Sequence, residues 1–131
     1  MPMNGSFLLD TNIVIALFER QRKVLQRLKK AAEVYLPSVV VGELLFGALK
    51  SGKVRSNLER IEEFATASAV LGCDLGTARH YGQIKSQLHQ AGRPLPDNDI
   101  WIAALAQQHD LILVSRDQHF REIERLQLEA W

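Results

Sequence analysis

Short, uninterrupted apolar runs alternate along this chain with longer stretches in which apolar residues recur every three or four positions. Runs such as 7–9 and 111–114 lack the polar alternation of a half-exposed strand, which predicts strands buried on both faces. Stretches such as 21–33 and 53–68 have the spacing of amphipathic helices. The alternation predicts an α/β fold, a single domain over residues 1–131 whose mostly parallel central sheet is flanked by helices.

The boundaries of these elements follow from turn and capping residues. Strands are predicted at 6–9, 33–37, 69–73 and 111–114, with an edge strand at 126–131. Helices are predicted from Asn12 and at 21–33, 39–52, 53–68, 75–92, 98–109 and 117–126. Ser38 and Asp97 are expected to be N-caps. Gly52 and Gly92 are expected to end the helices that precede them.

Composition limits the classes of function. Hydrophobic residues make up 47% and charged residues 24%, as in ordinary globular proteins. The net charge of +1 gives no strong overall field, so a polyanionic partner must be held by a local patch or through metal ions. No apolar stretch is long enough to span a bilayer, and no basic segment precedes the first apolar run, so we expect neither membrane insertion nor a signal peptide. The single cysteine, Cys73, is expected in the core of a cytoplasmic protein.

Acidic residues lie where predicted strands end or helices begin. Asp10 follows the first strand and Asp117 follows the fourth, and ligand sites of parallel sheets form outside the carboxyl ends of the strands. Asp99 lies in the first turn of a predicted helix, beside Asp97. Glu43 lies in an otherwise apolar helix without a basic residue three or four positions away. A buried carboxylate needs a partner, so we expect one for Glu43 from elsewhere in the fold.

Each of these acids also has a structural interpretation. Asp10 and Asp117 could cap helices, and for Asp97 alone capping is the preferred interpretation. If Asp10, Glu43, Asp99 and Asp117 converge, each ionised pair about 5 Å apart repels by about 3 kcal/mol at an effective dielectric of about 20. Cations relieve such repulsion, and an all-oxygen site selects Mg²⁺ or Mn²⁺. Further oxygens or hydrogen bonds would come from three supporting side chains, those of Thr11, Asn12 and Ser115.

Four ordered sequence blocks carry a resemblance to a known family. They read LLDTN, VVVGELLFGAL, GRPLPDNDIWIAALA and LILVSRDQHF. Together they resemble the PIN-domain family of metal-dependent ribonucleases, over nearly the whole chain, and its VapC-type toxins in particular. The resemblance implies hydrolysis of RNA phosphodiester bonds by a metal-activated water.

The same resemblance implies roles for individual residues. Asp10 and Asp99 would be the main metal ligands, Glu43 a ligand or a general base acting through water, and Asp117 an outer ligand. Asp97 would have a supporting role. Two basic residues flank the predicted site in sequence and are candidates for RNA contact, Arg93 and Arg116.

Other functions fit the sequence less well. A non-catalytic PIN-like module that binds RNA or a protein is the main alternative. A phosphotransferase built on Asp10 would be expected to have a second aspartate in the DTN segment, and a dinucleotide-binding domain would have a glycine-rich turn after the first strand. The four histidines, His80, His89, His109 and His119, show no metal-site spacing, so we expect no catalytic role for them.

The resemblance also implies partners. The substrate would be RNA, with tRNA or another structured RNA as candidates, and the toxin would be restrained by a VapB-type antitoxin. The segment 39–68 has more large apolar residues than one buried stripe needs. We expect Phe46, Leu49 and Phe64 to line a groove beside the acidic site, where the antitoxin docks as a helix. A homodimer is expected to use part of the same surface.

Overall fold

A five-stranded sheet forms the centre of the protein, in a computed structural model that describes residues 5–131. Its strands are β1 (Ser6–Leu9), β2 (Glu33–Pro37), β3 (Ala69–Leu71), β4 (Ile112–Val114) and β5 (Leu128–Glu129). They lie in the order β3-β2-β1-β4-β5, and every neighbouring pair is parallel. The predicted parallel sheet is therefore confirmed, with β1 and β4 side by side inside it. The predicted domain starts at residue 1, and its first four residues lie outside the described residues.

Six α-helices flank this sheet in the described part of the chain. They are α1 (Thr11–Phe18), α2 (Arg22–Lys30), α3 (Ser38–Leu49), α4 (Val54–Ala67), α5 (Leu75–Gln90) and α6 (Asp97–Gln108). Helix α6 is the most deeply packed, because residues 102–106 are all buried. Together with the buried strands β1 and β4 it forms the middle of the core. Close packing therefore holds the residues at the ends of these elements in position. No helix within 5–131 is long and apolar enough to cross a membrane.

Prolines change two of the predicted helix starts. Pro37 and Pro96 occupy the N-cap positions of α3 and α6, and Ser38 and Asp97 are the first helical residues instead of the caps. Both prolines have a φ near −60°, which leads the chain directly into a helix. The predicted stop at Gly92 is confirmed, since its φ of +68° is in the left-handed region that glycine adopts without strain.

The predicted helix at 117–126 is wrong. The structure has a short 3-10 helix there, Gln118–Glu122, and then a bend and a turn over residues 123–125. Side chains from α5 and α6 compete with helical hydrogen bonding: Gln87 Nε2 donates to the Glu122 carbonyl at 3.1 Å, and Gln107 Nε2 donates to the Glu124 carbonyl at 2.9 Å. The segment then continues as β5, the predicted edge strand.

The predicted burial of Cys73 is also wrong, because its side chain is exposed. It follows β3, which is an edge strand whose central residue Val70 is itself 43% exposed. Ala69 and Val70 are both exposed and Leu71 is only half-buried, so this apolar run lies at the surface, which hydrophobicity along the sequence does not reveal.

Candidate active site

The crevice at the carboxyl ends of β1 and β4 is where the chain brings its acids together. The connections from these neighbouring strands lead to opposite halves of the sheet, so no helix covers the point between them. The Asp10 amide donates to the Val114 carbonyl at 3.0 Å, which fixes the end of β1 to the end of β4. Asp10 and Ser115, the residues that follow the two strands, are therefore neighbours.

Asp10 is held firmly in this crevice. It is only 6% exposed and is the N-cap of α1. Its Oδ1 accepts from the Thr11 amide at 2.8 Å, and its Oδ2 accepts from Ser115 Oγ at 2.7 Å and from Asn12 Nδ2 at 3.4 Å. Burial raises the pKa of Asp10, while the hydrogen bonds from Ser115 and Thr11 oppose that rise. The carboxylate is thus fixed in position at a cost in desolvation.

Ser115 and Asn12 connect Asp10 with the loop after β4. Ser115 Oγ accepts from the Asp117 amide at 3.0 Å while it donates to Asp10. Asn12 Nδ2 lies 3.3 Å from the same Oγ, and Asn12 Oδ1 accepts from the Arg116 amide at 3.2 Å. Two of the supporting side chains predicted from the sequence, Asn12 and Ser115, therefore form one network that joins Asp10 to the loop of Asp117.

Glu43 reaches the site from α3. Its Oε1 accepts from Thr11 Oγ1 at 3.0 Å, so the partner comes from another element, as expected. The premise of burial was wrong, because Glu43 is exposed. Helix α3 fully buries only every fourth residue, Val40, Leu44 and Ala48; its exposed large apolar residues are Phe46 and Leu49.

Among the four acids, Asp99 has the most strongly raised pKa. It lies in the first turn of α6 and its pKa is raised to about 6. Desolvation is the first cause, and repulsion from the carboxylates of Asp10, Asp117 and Glu43 adds to it. All four predicted acids are therefore close enough to act on one group.

Asp117 is paired with a histidine that the sequence analysis had set aside. Its Oδ1 accepts from the His119 amide at 2.9 Å and lies 3.0 Å from His119 Nδ1. His119 lowers the pKa of Asp99 and so opposes the effect of the neighbouring carboxylates. The Asp-x-His spacing in the loop after β4 is the signal that could have identified it.

Asp97 is separate from this group. It accepts from Lys85 Nζ at 3.0 Å and from the Tyr81 hydroxyl at 2.9 Å, and these contacts join α6 to α5. The hydrogen bonds and charge of Lys85 lower the pKa of Asp97. Asp97 is not among the carboxylates that raise the pKa of Asp99.

The two candidate RNA-contacting arginines are both engaged within the protein. Arg93 forms an exposed ion pair with Glu122 at 2.8 Å. Arg116 donates from Nε to the Trp131 carbonyl at 2.8 Å and from Nη2 to Gln21 Oε1 at 2.7 Å. An RNA phosphate would have to compete with these contacts, and Arg116 also stabilises the loop that contains Ser115 and Asp117.

The donor set fits a hard divalent cation. The side chains are carboxylates with hydroxyl and amide oxygens, which Mg²⁺ and Mn²⁺ prefer over zinc or copper. Repulsion from the carboxylates of Asp10, Asp117 and Glu43 contributes to the raised pKa of Asp99, and a bound cation would relieve it. Within 5–131 no three His, Cys, Asp or Glu side chains already converge closely enough to hold one ion. Small rotations of exposed Glu43 and half-exposed Asp99 and Asp117 would have to accompany binding.

Known proteins share both this fold and this sequence. A sequence model of the PIN domain matches residues 7–126. Ribonuclease VapC2 of Haemophilus influenzae is 37% identical, and the tRNA(fMet)-specific endonuclease VapC of Shigella flexneri is 35% identical; each alignment covers 95% of this chain and 97% of the relative. The DNA-bound VapBC structure from Salmonella typhimurium superposes with a TM-score of 0.90 at 30% identity, covering 98% of this chain and 99% of that one. The chain therefore belongs to the PIN-domain family, and the resemblance to its VapC ribonucleases is confirmed.

Proposed function

We propose that this chain is an endoribonuclease toxin of the VapC type, which hydrolyses RNA phosphodiester bonds with Mg²⁺ or Mn²⁺ held at the acidic crevice. The observation that carries the proposal is the geometry at the switch point of the sheet, where Ser115 joins Asp10 to the loop of Asp117, and Asp99 is near enough for these carboxylates to raise its pKa. The names of the relatives, ribonuclease and tRNA(fMet)-specific endonuclease, support the reaction and make transfer RNA the first substrate to test. We place its action in the cytoplasm, where such RNA is found.

Each acid has a distinct part in this reaction. Asp10 and Asp99 would be the principal ligands, because one is fixed at the end of β1 and the other at the start of α6. A bound divalent cation supplies charge stabilisation at the phosphate and lowers the pKa of an attacking water. Glu43, exposed and oriented by Thr11, is free to take a ligand position or to accept a proton from that water. Asp117 completes the site from the loop that Ser115 holds.

The test is cleavage of purified tRNA and of total RNA in Mg²⁺, in Mn²⁺ and in EDTA. Asp10→Asn and Asp99→Asn should each lower the rate by at least about 100-fold, since each removes a ligand charge. Asp97→Asn is the matched control: it makes the same substitution two residues away on α6, at a carboxylate paired with Lys85, and should keep most of the activity. Cleavage that survives in EDTA, or equal loss in Asp97→Asn and Asp99→Asn, would contradict the site. RNA binding without any cleavage would favour the non-catalytic alternative.

A VapB-type antitoxin is the proposed partner. Similar structures are described as VapBC, including those from Rickettsia felis and Haemophilus influenzae. On this chain Phe46 and Leu49 are 64% and 62% exposed on α3. A cleft of about 190 Å³ is lined by residues of α1, α3 and α4, including Glu43, whereas Phe46 and Leu49 lie on α3 outside its lining. Phe64 was expected in the same groove but is half-buried, packing edge-to-face on Phe18 at 5.5 Å between ring centroids.

The antitoxin surface can be tested with exposed residues alone. Phe46→Asp and Leu49→Asp should weaken capture of the co-expressed antitoxin, because each places a charge on the apolar face. Leu75→Asp is the control, since Leu75 is as exposed as these two residues, at 66%, but lies on a different helix, at the start of α5. The same variants, measured for molecular mass without antitoxin, test whether the proposed homodimer uses this face. Equal antitoxin binding by all three variants would place the partner elsewhere.

A further inference from the structure

Helix α2 and the turn before it concentrate positive charge. Six of the 16 lysines and arginines fall within residues 20–30, which contain no aspartate or glutamate. The rest of the chain has ten basic residues against all 15 acidic ones. The net charge of +1 therefore conceals a basic segment on an otherwise acidic protein, and such a local patch is what a polyanion would need.

The basic residues share the exposed face of α2. The helix buries Val24 and half-buries Leu25 and Leu28, so its other positions face solvent. The exposed basic residues of the segment are Arg20, Arg22, Lys23, Arg27, Lys29 and Lys30. Within 5–131 only Arg27 among them forms an ion pair, with Glu129 at 2.8 Å.

Helix stability does not explain this arrangement. Arg27, Lys29 and Lys30 lie in the last turn, where positive charge complements the helix dipole. Arg22 and Lys23 lie in the first turn, where the dipole opposes positive charge. Lys23 is also one turn from Arg27, and like charges at that spacing repel. A row of cations that weakens its own helix indicates a partner that compensates for it.

The N-terminal end of α2 is connected to the acidic crevice. Gln21, the N-cap residue, accepts from Arg116 Nη2 at 2.7 Å. Arg116 follows Ser115, which donates to Asp10 at 2.7 Å. From this point the nine residues of α2 extend for about 13 Å. A chain of phosphates that reaches the crevice can therefore continue along the basic face.

We propose that the exposed face of α2 binds the sugar-phosphate backbone of the RNA substrate outside the scissile bond. This inference rests on the proposed ribonuclease function. The acidic side chains of the crevice repel RNA, so the electrostatic attraction that brings RNA to the protein must come from another surface. Charge complementarity and continuity with the crevice favour RNA over duplex DNA or an anionic membrane. The contacts are to phosphates, and they supply affinity without sequence preference.

The experiment measures binding without cleavage, so that it is independent of activity. Wild type, the triple variant Lys23→Gln/Lys29→Gln/Lys30→Gln and a control are titrated with a single-stranded 30-nucleotide RNA in EDTA over a range of salt concentrations. The control, Lys53→Gln/Arg55→Gln/Arg125→Gln, removes the same charge from exposed positions outside α2. Losing three phosphate contacts should reduce the slope of log affinity against log salt by about 2 in the α2 variant and by much less in the control.

Each outcome decides between the possibilities. Equal slopes in the two triple variants would overturn the proposal. So would a loss of affinity for duplex DNA or for phosphatidylserine vesicles that spares RNA. Failure of the proposed function would show instead as absence of cleavage when metal is added, whatever the slopes. Where cleavage occurs, the α2 variant should raise KM with kcat unchanged, because the scissile phosphate is still held by the crevice.

Discussion

Like charges lie close together in two regions of this molecule, the acidic crevice and helix α2. The repulsion differs in strength between them because the two regions differ in burial. In the crevice, Asp10 is 6% exposed and Asp99 is partly buried, and desolvation adds to the repulsion between carboxylates. On α2 the cations are exposed, and water and salt screen them. Repulsion between like charges is therefore strong in the crevice and weak on α2.

The difference determines which ligand each region suits. A partly desolvated group of carboxylate oxygens is relieved best by a small, strongly charged ion that fits among them. A screened row of flexible lysines and arginines suits an extended polyanion that follows the surface. Site geometry and surface charge thus suit the two partners of one reaction, a divalent cation and RNA.

The largest expected effect is stabilisation by metal at the crevice. Millimolar Mg²⁺ or Mn²⁺ at about 100 times its dissociation constant should add about 2.7 kcal/mol, which corresponds to roughly 10 °C in melting temperature. Asp99→Asn should gain much less, while Asp97→Asn and the α2 triple variant should gain as much as wild type. Thermal melts with and without metal measure this. Equal shifts in all four proteins would mean that the crevice does not hold the ion.

A smaller effect is expected from the pH dependence of the metal-free protein. The folded-state pKa of Asp99 is raised from 3.8 to about 6, so the native state binds more protons than the unfolded state between these values. Stability from this group is fully present below pH 4 and is lost as pH rises through 6. Asp99→Asn should therefore match wild type near pH 4 and exceed its stability above pH 6, by about 1–2 kcal/mol after allowance for partial exposure.

Denaturant unfolding in EDTA at pH 4, 6 and 7.5 measures this difference. Asp97→Asn again provides the contrast, because Lys85 lowers the pKa of Asp97 and its ionised form stabilises the fold. That variant should lose stability above pH 4 instead of gaining it. A constant advantage of Asp99→Asn at all three values would show that repulsion in the crevice is not the cause.

The fold could be predicted because its strands are short, buried and uninterrupted. Residues 6–9 and 111–114 have no alternation, and the parallel sheet that this indicates is observed. The helix predicted at 117–126 failed because local periodicity competes there with long-range hydrogen bonds from Gln87 and Gln107. Those partners are close only after the rest of the chain has folded.

The site could be predicted as far as position along the strands allows. Asp10 and Asp117 follow neighbouring parallel strands, so their proximity follows from topology. Burial could not be predicted in the same way: Glu43 is exposed although its helix is apolar, and Cys73 is exposed although the strand before it is apolar. Both lie on surfaces that the sequence cannot identify as uncovered. The pairing of Asp117 with His119 depends on a loop conformation that no periodicity encodes.

The smallest expected effect concerns the exposed cations of α2, whose repulsion is screened by water and salt. Lys23→Gln removes a cation from the first turn of α2 and from the spacing that repels Arg27, and glutamine keeps a similar helix propensity. Stability should rise by about 0.3–0.5 kcal/mol at low salt. The gain should vanish near 1 M salt, where the screening length is about 3 Å. Arg55→Gln is the matched comparison and should gain less, because Arg55 also lies in the first turn of a helix but pairs with Glu59 one turn along α4 at 3.4 Å. Denaturant unfolding of both variants at two salt concentrations measures these changes. A gain for Lys23→Gln that persists in high salt would mean that α2 is strained by packing, and that its positive charge costs the fold nothing.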